Sequence, residues 1–308
     1  MSALLENFTQ RLASGELLLG DGAWGTQMQA LGLDLEDCPE EWNATHPDKV
    51  SQVARSYLQA GADFCITNTF GANRYRLNRF GLAERVRELN SAGLALSRQA
   101  ADEFGKPVVA SVGPTGEFIE PEGMLKTHEM YDAFREQMEA LKENGAEAVC
   151  IETMYVLDEA LAAIKAARDL GLFCFASMTY DSTPQGFRTM LGTTVAEATK
   201  ALDAAGADVV GTNCGNGITQ IAEIVRLMRP LTRKPLLARA NAGLPEKDGK
   251  RFVYRDGPQF MASKVRDLRE AGAAIIGGCC GTTPEHIRAF RAAIDVLLKP
   301  QMNADKRR

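Results

Sequence analysis

Histidine is scarce in this chain. Three occur in 308 residues, and none falls at the end of an apolar run. His46, His128 and His286 sit in loop or helix contexts and read as surface or capping residues. Positive charge is not in excess either: 35 Lys and Arg stand against 40 Asp and Glu, a formal net charge of −5. No basic stripe is present, which argues against a nucleic-acid partner. Apolar stretches long enough to cross a bilayer are missing, so no membrane partner is expected. The N-terminal MSALLENFTQRL has no basic segment followed by an apolar run, so it does not read as a signal peptide. The expected location is cytoplasmic, where thiols stay reduced. Seven cysteines, an odd number, then make a disulfide framework a poor reading, and metal or catalytic use a better one for clustered thiols.

Hydrophobic residues make up 45% of the chain and charged residues 24%, enough to build a large core. Eight short apolar runs recur: Leu17–Gly22, Ala62–Thr69, Pro107–Gly113, Ala148–Thr153, Leu172–Tyr180, Ala207–Cys214, Pro235–Asn241 and Ala273–Cys280. Such near-continuous runs suit parallel strands buried on both faces. Several follow the same phrase, as in AGAD at 60–63 and 205–208, NGAE at 144–147 and AGAA at 271–274. Glycine there fits a helix end entering a short loop. The segments 158–170 and 194–205 have helical spacing, and Thr283-Pro284-Glu285 reads as a helix start. The predicted fold class is α/β, a single-domain (β/α)8 TIM barrel with its core over about 15–297 and a polar tail at 301–308. An open doubly wound sheet is the alternative.

In such barrels chemistry sits at the C-terminal ends of the strands. Nearly every predicted strand ends in a polar or thiol group: Asp21, Thr67-Asn68-Thr69, Glu152-Thr153, Asn213-Cys214, Asn241 and Cys279-Cys280. Core packing alone would not place them there. Cys214 from the sixth strand and Cys279 and Cys280 from the eighth converge in this arrangement. Thiolates are strong ligands for zinc, and three of them leave one position open, as in catalytic sites. Adjacent strand residues point to opposite faces, so the backbone must leave strand geometry for both cysteines to reach one ion. The glycines of GGCCG permit that. A vicinal disulfide or redox pair is the alternative, but it leaves Cys214 unexplained. Cys65, Cys150 and Cys174 read as small buried hydrophobes, and Cys38 as incidental.

Three thiolates weaken zinc as a Lewis acid toward water. They favour a substrate thiol held as a nucleophilic thiolate, hence alkyl transfer to sulfur. A zinc hydrolase remains a rival, as does a noncatalytic zinc-binding component of a larger assembly. Asp21 and Glu152 are candidates to bind the ammonium of an amino-acid substrate, with capping or a local hydrogen bond as the alternative. Asn68 is a further candidate for contacting the substrate.

GDGAWGTQMQ at 20–29, CPEEWNATHPDKV at 38–50, AGADFCITNTFGANRYRL at 60–77, ET at 152–153, GTNCG at 211–215, NAGLP at 241–245 and GGCCGTTPEHI at 277–287 together resemble the homocysteine S-methyltransferase family. The sequence looks closest to the homocysteine-binding barrel of cobalamin-dependent methionine synthase and is more distantly similar to betaine–homocysteine methyltransferase. The resemblance implies zinc, Zn(2+), on Cys214, Cys279 and Cys280, with homocysteine thiolate completing the site. It implies Asn241 as an occupant of the open position without substrate, and Asp21 and Glu152 as contacts to the homocysteine amino group. The 308 residues cover one barrel, whereas methionine synthase continues into folate and cobalamin modules. The expected donor is therefore methylcobalamin, a methylcorrinoid on a separate protein. A small onium donor such as betaine or a sulfonium compound is the alternative, and Trp24, Tyr75, Tyr155 and Tyr180 are the aromatics that could cage a quaternary ammonium. Met154-Tyr155-Val156, after Glu152, departs from the family pattern.

Overall fold

The computed structural model describes residues 1–248 and 251–298. The expected tail at 301–308 lies outside them. Twelve strands follow in chain order: β1 Leu18–Leu19, β2 Cys65–Ile66, β3 Val108–Val112, β4 Ala148–Met154, β5 Phe173–Met178, β6 Asp181–Thr183, β7 Gly186–Arg188, β8 Val209–Gly217, β9 Leu236–Asn241, β10 Glu246–Asp248, β11 Arg251–Val253 and β12 Ala273–Gly278. Eight form one parallel sheet in the order β1-β12-β9-β8-β5-β4-β3-β2. Each neighbours its predecessor in the chain, with no reversal of direction. That excludes the doubly wound alternative, whose strand order reverses at a switch point. All eight predicted strands are present, each inside or within about three residues of its apolar run.

The sheet curls until β2 comes back beside β1. There the backbone N–H of Asp63 donates to Leu19 O at 2.6 Å, while the Leu19 N–H donates to the Asp63 carboxylate at 2.9 Å. The N–H of Ile66 in β2 donates to Asp21 Oδ2 at 2.8 Å. Two aspartates thus satisfy backbone groups where the ladder is short, as buried amides require. Asp63 is itself anchored by Arg291 at 2.5 Å and Arg11 at 2.9 Å.

Helices wrap the sheet where the spacing predicts them. The expected 158–170 is Leu157–Asp169. The expected 194–205 is Val195–Ala204, entered through a capping box of Thr194 and Glu197. Gly206 and Gly272 take φ of 91° and 105°, the left-handed end that lets a helix turn straight into a strand. Helix Ala3–Ala13 closes the N-terminal end of the barrel. Its Phe8 packs edge-on to Phe64 at 5.5 Å and against Phe175 at 6.0 Å. With one end plugged by aromatics, the other end is left for the polar strand exits.

Two antiparallel hairpins, β6-β7 and β10-β11, are absent from the sequence-based expectation. They lie in the loops after β5 and β9, at that open end. Among the described residues, no helix is long and apolar enough to cross a membrane.

Candidate active site

β8 carries Cys214 into its exit at φ 62°, a left-handed conformation unusual for a residue with a side chain. The pairing of β8 with β9 shifts register between Cys214 and Gly217, so the strand kinks there. β12 ends at Gly278, and the next two residues follow the end of β9 without regular strand pairing. Cys279 N–H donates to Ala240 O at 2.8 Å, and Ala242 N–H donates to Cys280 O at 2.9 Å. Thr282 closes the turn by donating from Oγ1 to Cys279 O at 2.8 Å. Strand alternation is thereby broken, and the sulfurs of Cys214, Cys279 and Cys280 lie within 4.8 Å of one another.

Three half-buried thiols this close oppose one another's ionisation. A hydrogen bond with Cys279 lowers the pKa of Cys214, but bonding with Cys280 and burial outweigh it and push it up to about 11. For Cys280, bonding with Cys214 lowers the pKa, yet Cys279 and burial carry it up to about 12. Cys279 is raised by its hydrogen bond with Cys214 and by burial. Thiolates here need a counter-cation. Beside them Asn241, at the end of β9, donates from Nδ2 to Gly215 O at 2.9 Å. Its Oδ1 is buried without a hydrogen-bond partner, and an orphaned oxygen beside three sulfurs fits a bound cation. The other four cysteines are buried, and Cys38 contacts Glu40 at 3.4 Å.

Asp21 and Glu152 face each other across a buried arginine. Arg239 of β9 is 2% exposed. It donates from Nη2 to Asp21 Oδ1 and from Nη1 to Glu152 Oε2, each at 2.8 Å, and from Nε to Gly278 O at 3.1 Å. Asp21 Oδ2 also accepts from Trp24 Nε1 at 3.0 Å, and Glu152 Oε1 accepts from Ser111 Oγ at 2.6 Å. Burial raises the Asp21 pKa, and Arg239 is the strongest influence opposing that rise. The local-hydrogen-bond role held open for Asp21 is therefore real, in the Ile66 bond of the β1–β2 seam. Asn68 spends its amide nitrogen on Pro39 O at 2.7 Å and Asn43 Oδ1 at 2.9 Å, clamping the segment after the first barrel loop. Thr153 and Asn213 form a pair between the two clusters, with Asn213 Nδ2 3.7 Å from Cys279 Sγ.

Arg239 and Ser111 were missed as site residues, and Asn213 was expected only as a polar strand exit. The signal for Arg239 is plain in PLLARAN: a guanidinium in a strand buried on both faces must meet an anion. His286 is buried rather than on the surface, capping its helix through Thr283 and reaching Asp256 O at 2.9 Å. Of the possible cage aromatics, Trp24 and Tyr180 are buried and Tyr155 packs on Phe118 at 6.3 Å.

Comparison with known proteins places these features. The profile of the family described as homocysteine S-methyltransferase matches residues 18–294. Methionine synthase of Mycobacterium tuberculosis is 34% identical over 318 residues, covering 97% of this chain and 26% of that protein. Methionine synthase of Mycobacterium leprae is 33% identical, over 94% of this chain and 25% of its own length. The chain thus spans about a quarter of these relatives. Among solved structures, the metallated homocysteine methyltransferase MmuM from Escherichia coli superposes with a TM-score of 0.74 at 25% identity, covering 90% of this chain and 96% of that one.

Proposed function

Because the chain belongs to the homocysteine S-methyltransferase family, we propose that it moves a methyl group to the sulfur of homocysteine, giving methionine. The observation that carries this reading is the gathering of three sulfurs within 4.8 Å at the open end of the barrel. Cys214, Cys279 and Cys280 would hold zinc, and Asn241 would offer it a carboxamide oxygen. Sulfur donors suit zinc, and the orphaned Asn241 Oδ1 fits the same ion. Zinc there would leave one position for the acceptor sulfur and keep that sulfur a thiolate near neutral pH.

The chain's own residues do the rest. The Asp21–Arg239–Glu152 cluster takes the amino-acid end of homocysteine, with carboxylate oxygens accepting from its ammonium. Asn68 fixes the adjoining segment and lines the acceptor side. In the transfer the sulfur electron pair forms the new carbon–sulfur bond. The bond from methyl to donor breaks, its electron pair leaves with the donor, and the thiol proton goes to solvent. The donor is a methylcorrinoid carried on a separate protein, as the resemblance to the cobalamin-dependent methionine synthase barrel implies.

The test is methionine formation by purified, zinc-loaded protein with homocysteine and methylcobalamin, alone or on a corrinoid protein. Turnover that disappears on chelation and returns with zinc supports the reading. A zinc-loaded protein that never binds homocysteine would refute it.

A further inference from the structure

Tyr254 follows directly on β11, the return strand of the hairpin after β9, and is half-buried. Its ring lies on the turn that follows the paired cysteines. A Cβ on Gly281 would stand 2.2 Å from Tyr254 Cγ and 2.6 Å from Cδ2. Ring and turn therefore meet only because residue 281 has no side chain. Gly281 also takes φ 80°, which asparagine can adopt as well; contact with the ring is what leaves glycine alone. Nor is the ring on a swinging loop, because Asp256, two residues on, is fastened at both ends. Its N–H donates to Ala242 O at 2.9 Å, and its carbonyl faces His286 Nε2 at 2.9 Å. Thr283 N–H donates to His286 Nδ1 at 3.1 Å, so Nε2 carries the proton and donates to Asp256 O. Ala242 N–H in turn donates to Cys280 O at 2.9 Å. Segment 254–256, the end of β9 and the cysteine turn are thus latched together. The Tyr254 hydroxyl pairs with Cys280, and Cys214 and Cys279 lie beyond it.

We propose that Tyr254 is a positioning residue for the metal site: its ring holds the Gly281 turn, and its hydroxyl donates to the Cys280 sulfur. This rests on the reading of the three cysteines as zinc ligands. A metal-bound thiolate keeps lone pairs that the metal does not use, and a phenol O–H can donate to one of them. Groups that hydrogen-bond a metal ligand fix its direction and tune it as a donor. Cys279 has such a neighbour in Asn213, whose Nδ2 lies 3.7 Å from its sulfur. Tyr254 supplies the equivalent for Cys280, from a loop that the sequence pattern leaves unmarked.

The experiment uses Tyr254→Phe, which keeps the ring on Gly281 and removes the hydroxyl, in two measurements on the full chain. Competition with a chromophoric chelator reads zinc affinity, expected to fall about 10-fold, the low end of the range for loss of a group that orients a ligand. Cobalt(II) in place of zinc gives a thiolate-to-metal charge-transfer band. A donated hydrogen bond lowers the energy of the sulfur lone pairs, so the band is expected to move to longer wavelength in Tyr254→Phe. A tyrosine that only packs would leave affinity and band unchanged, and that result overturns the proposal. A fall in affinity with an unmoved band overturns it too, because the hydroxyl then acts without touching the sulfur. Tyr254→Leu removes ring and hydroxyl together and is expected to lose about 100-fold in zinc affinity, the upper end of that range. If it binds zinc as tightly as Tyr254→Phe, the ring does not hold the turn. Wild type that takes up no zinc sinks the cysteine assignment itself, an outcome distinct from all of these.

Discussion

Asn213 and Cys279, far apart in sequence, meet with the amide nitrogen 3.7 Å from the sulfur. The same amide donates to Thr153 Oγ1 at 2.7 Å and accepts from Thr153 N–H and Ser177 Oγ, each at 2.7 Å. All of its hydrogen-bonding capacity is engaged. Thr153 sits at φ 61°, a conformation that persists only when its surroundings enforce it. Asn213 therefore holds both a cysteine and the residue beside Glu152. Asn213→Ala is expected to weaken zinc binding by about 10–100-fold, the range for loss of a group that orients a ligand. Competition with a chromophoric chelator measures it; undiminished affinity in a folded variant would count against the role.

The cysteines divide into two sets with opposite expected behaviour. Cys214→Ala, Cys279→Ala and Cys280→Ala should each bring zinc content close to nothing, since two thiolates and a carboxamide make a poor site. Cys174→Ala, deep in β5, should keep full zinc and lose only about 1 kcal/mol of stability. Elemental analysis of the four proteins decides it. Tight zinc in a Cys280→Ala protein would exclude that sulfur from the site.

The division was legible in the sequence because strand exits and strand interiors differ in burial. Cys65, Cys150 and Cys174 lie inside apolar runs, whereas Cys214, Cys279 and Cys280 lie beside glycines at run ends. The eight strands were legible for the same reason: parallel strands covered on both faces leave continuous apolar runs. Hairpins β6-β7 and β10-β11 were not, because three-residue strands at the barrel mouth bury little and leave no apolar pattern. Which anions Arg239 meets was not legible, because its partners, Asp21 and Glu152, come from strands that are distant in sequence. Only the closed barrel brings their carboxylates to its guanidinium.

Acid stability should depend on Asp63, at the opposite end of the barrel. Burial alone would raise its pKa, but Arg291, the Leu19 N–H and Arg11 outweigh it, and the net shift is downward. A folded-state pKa below the unfolded value of about 3.9 means the stabilisation is fully present above that value. It is lost as pH falls through the folded pKa. Asp63→Asn should therefore be less stable than wild type at neutral pH, by about 3–5 kcal/mol for a broken buried pair. The gap should narrow in acid. Urea denaturation at pH 7 and pH 3 measures both; a gap that widens in acid would contradict the ion-pair account.

Two glycines near the mouth should respond oppositely to a methyl group. A Cβ on Gly278 would stand 2.1 Å from Thr282 Oγ1, while one on Gly25 meets nothing within 4 Å. Thr282 Oγ1 accepts from Ala23 N–H at 3.1 Å and donates to Cys279 O at 2.8 Å. It cannot retreat without opening the turn that presents the paired cysteines. Gly278→Ala should thus cost about 1–3 kcal/mol, the range for overpacking, and weaken zinc binding at the same time. Gly25→Ala, in the helix Gly25–Ala30, should be neutral or stabilising by up to about 1 kcal/mol, because alanine loses less backbone entropy there. Thermal unfolding of both variants, with and without zinc, separates the two effects. If Gly278→Ala lost stability only in the absence of zinc, the clash would be relieved when the ion binds, and Thr282 could not be what fixes the cysteine turn.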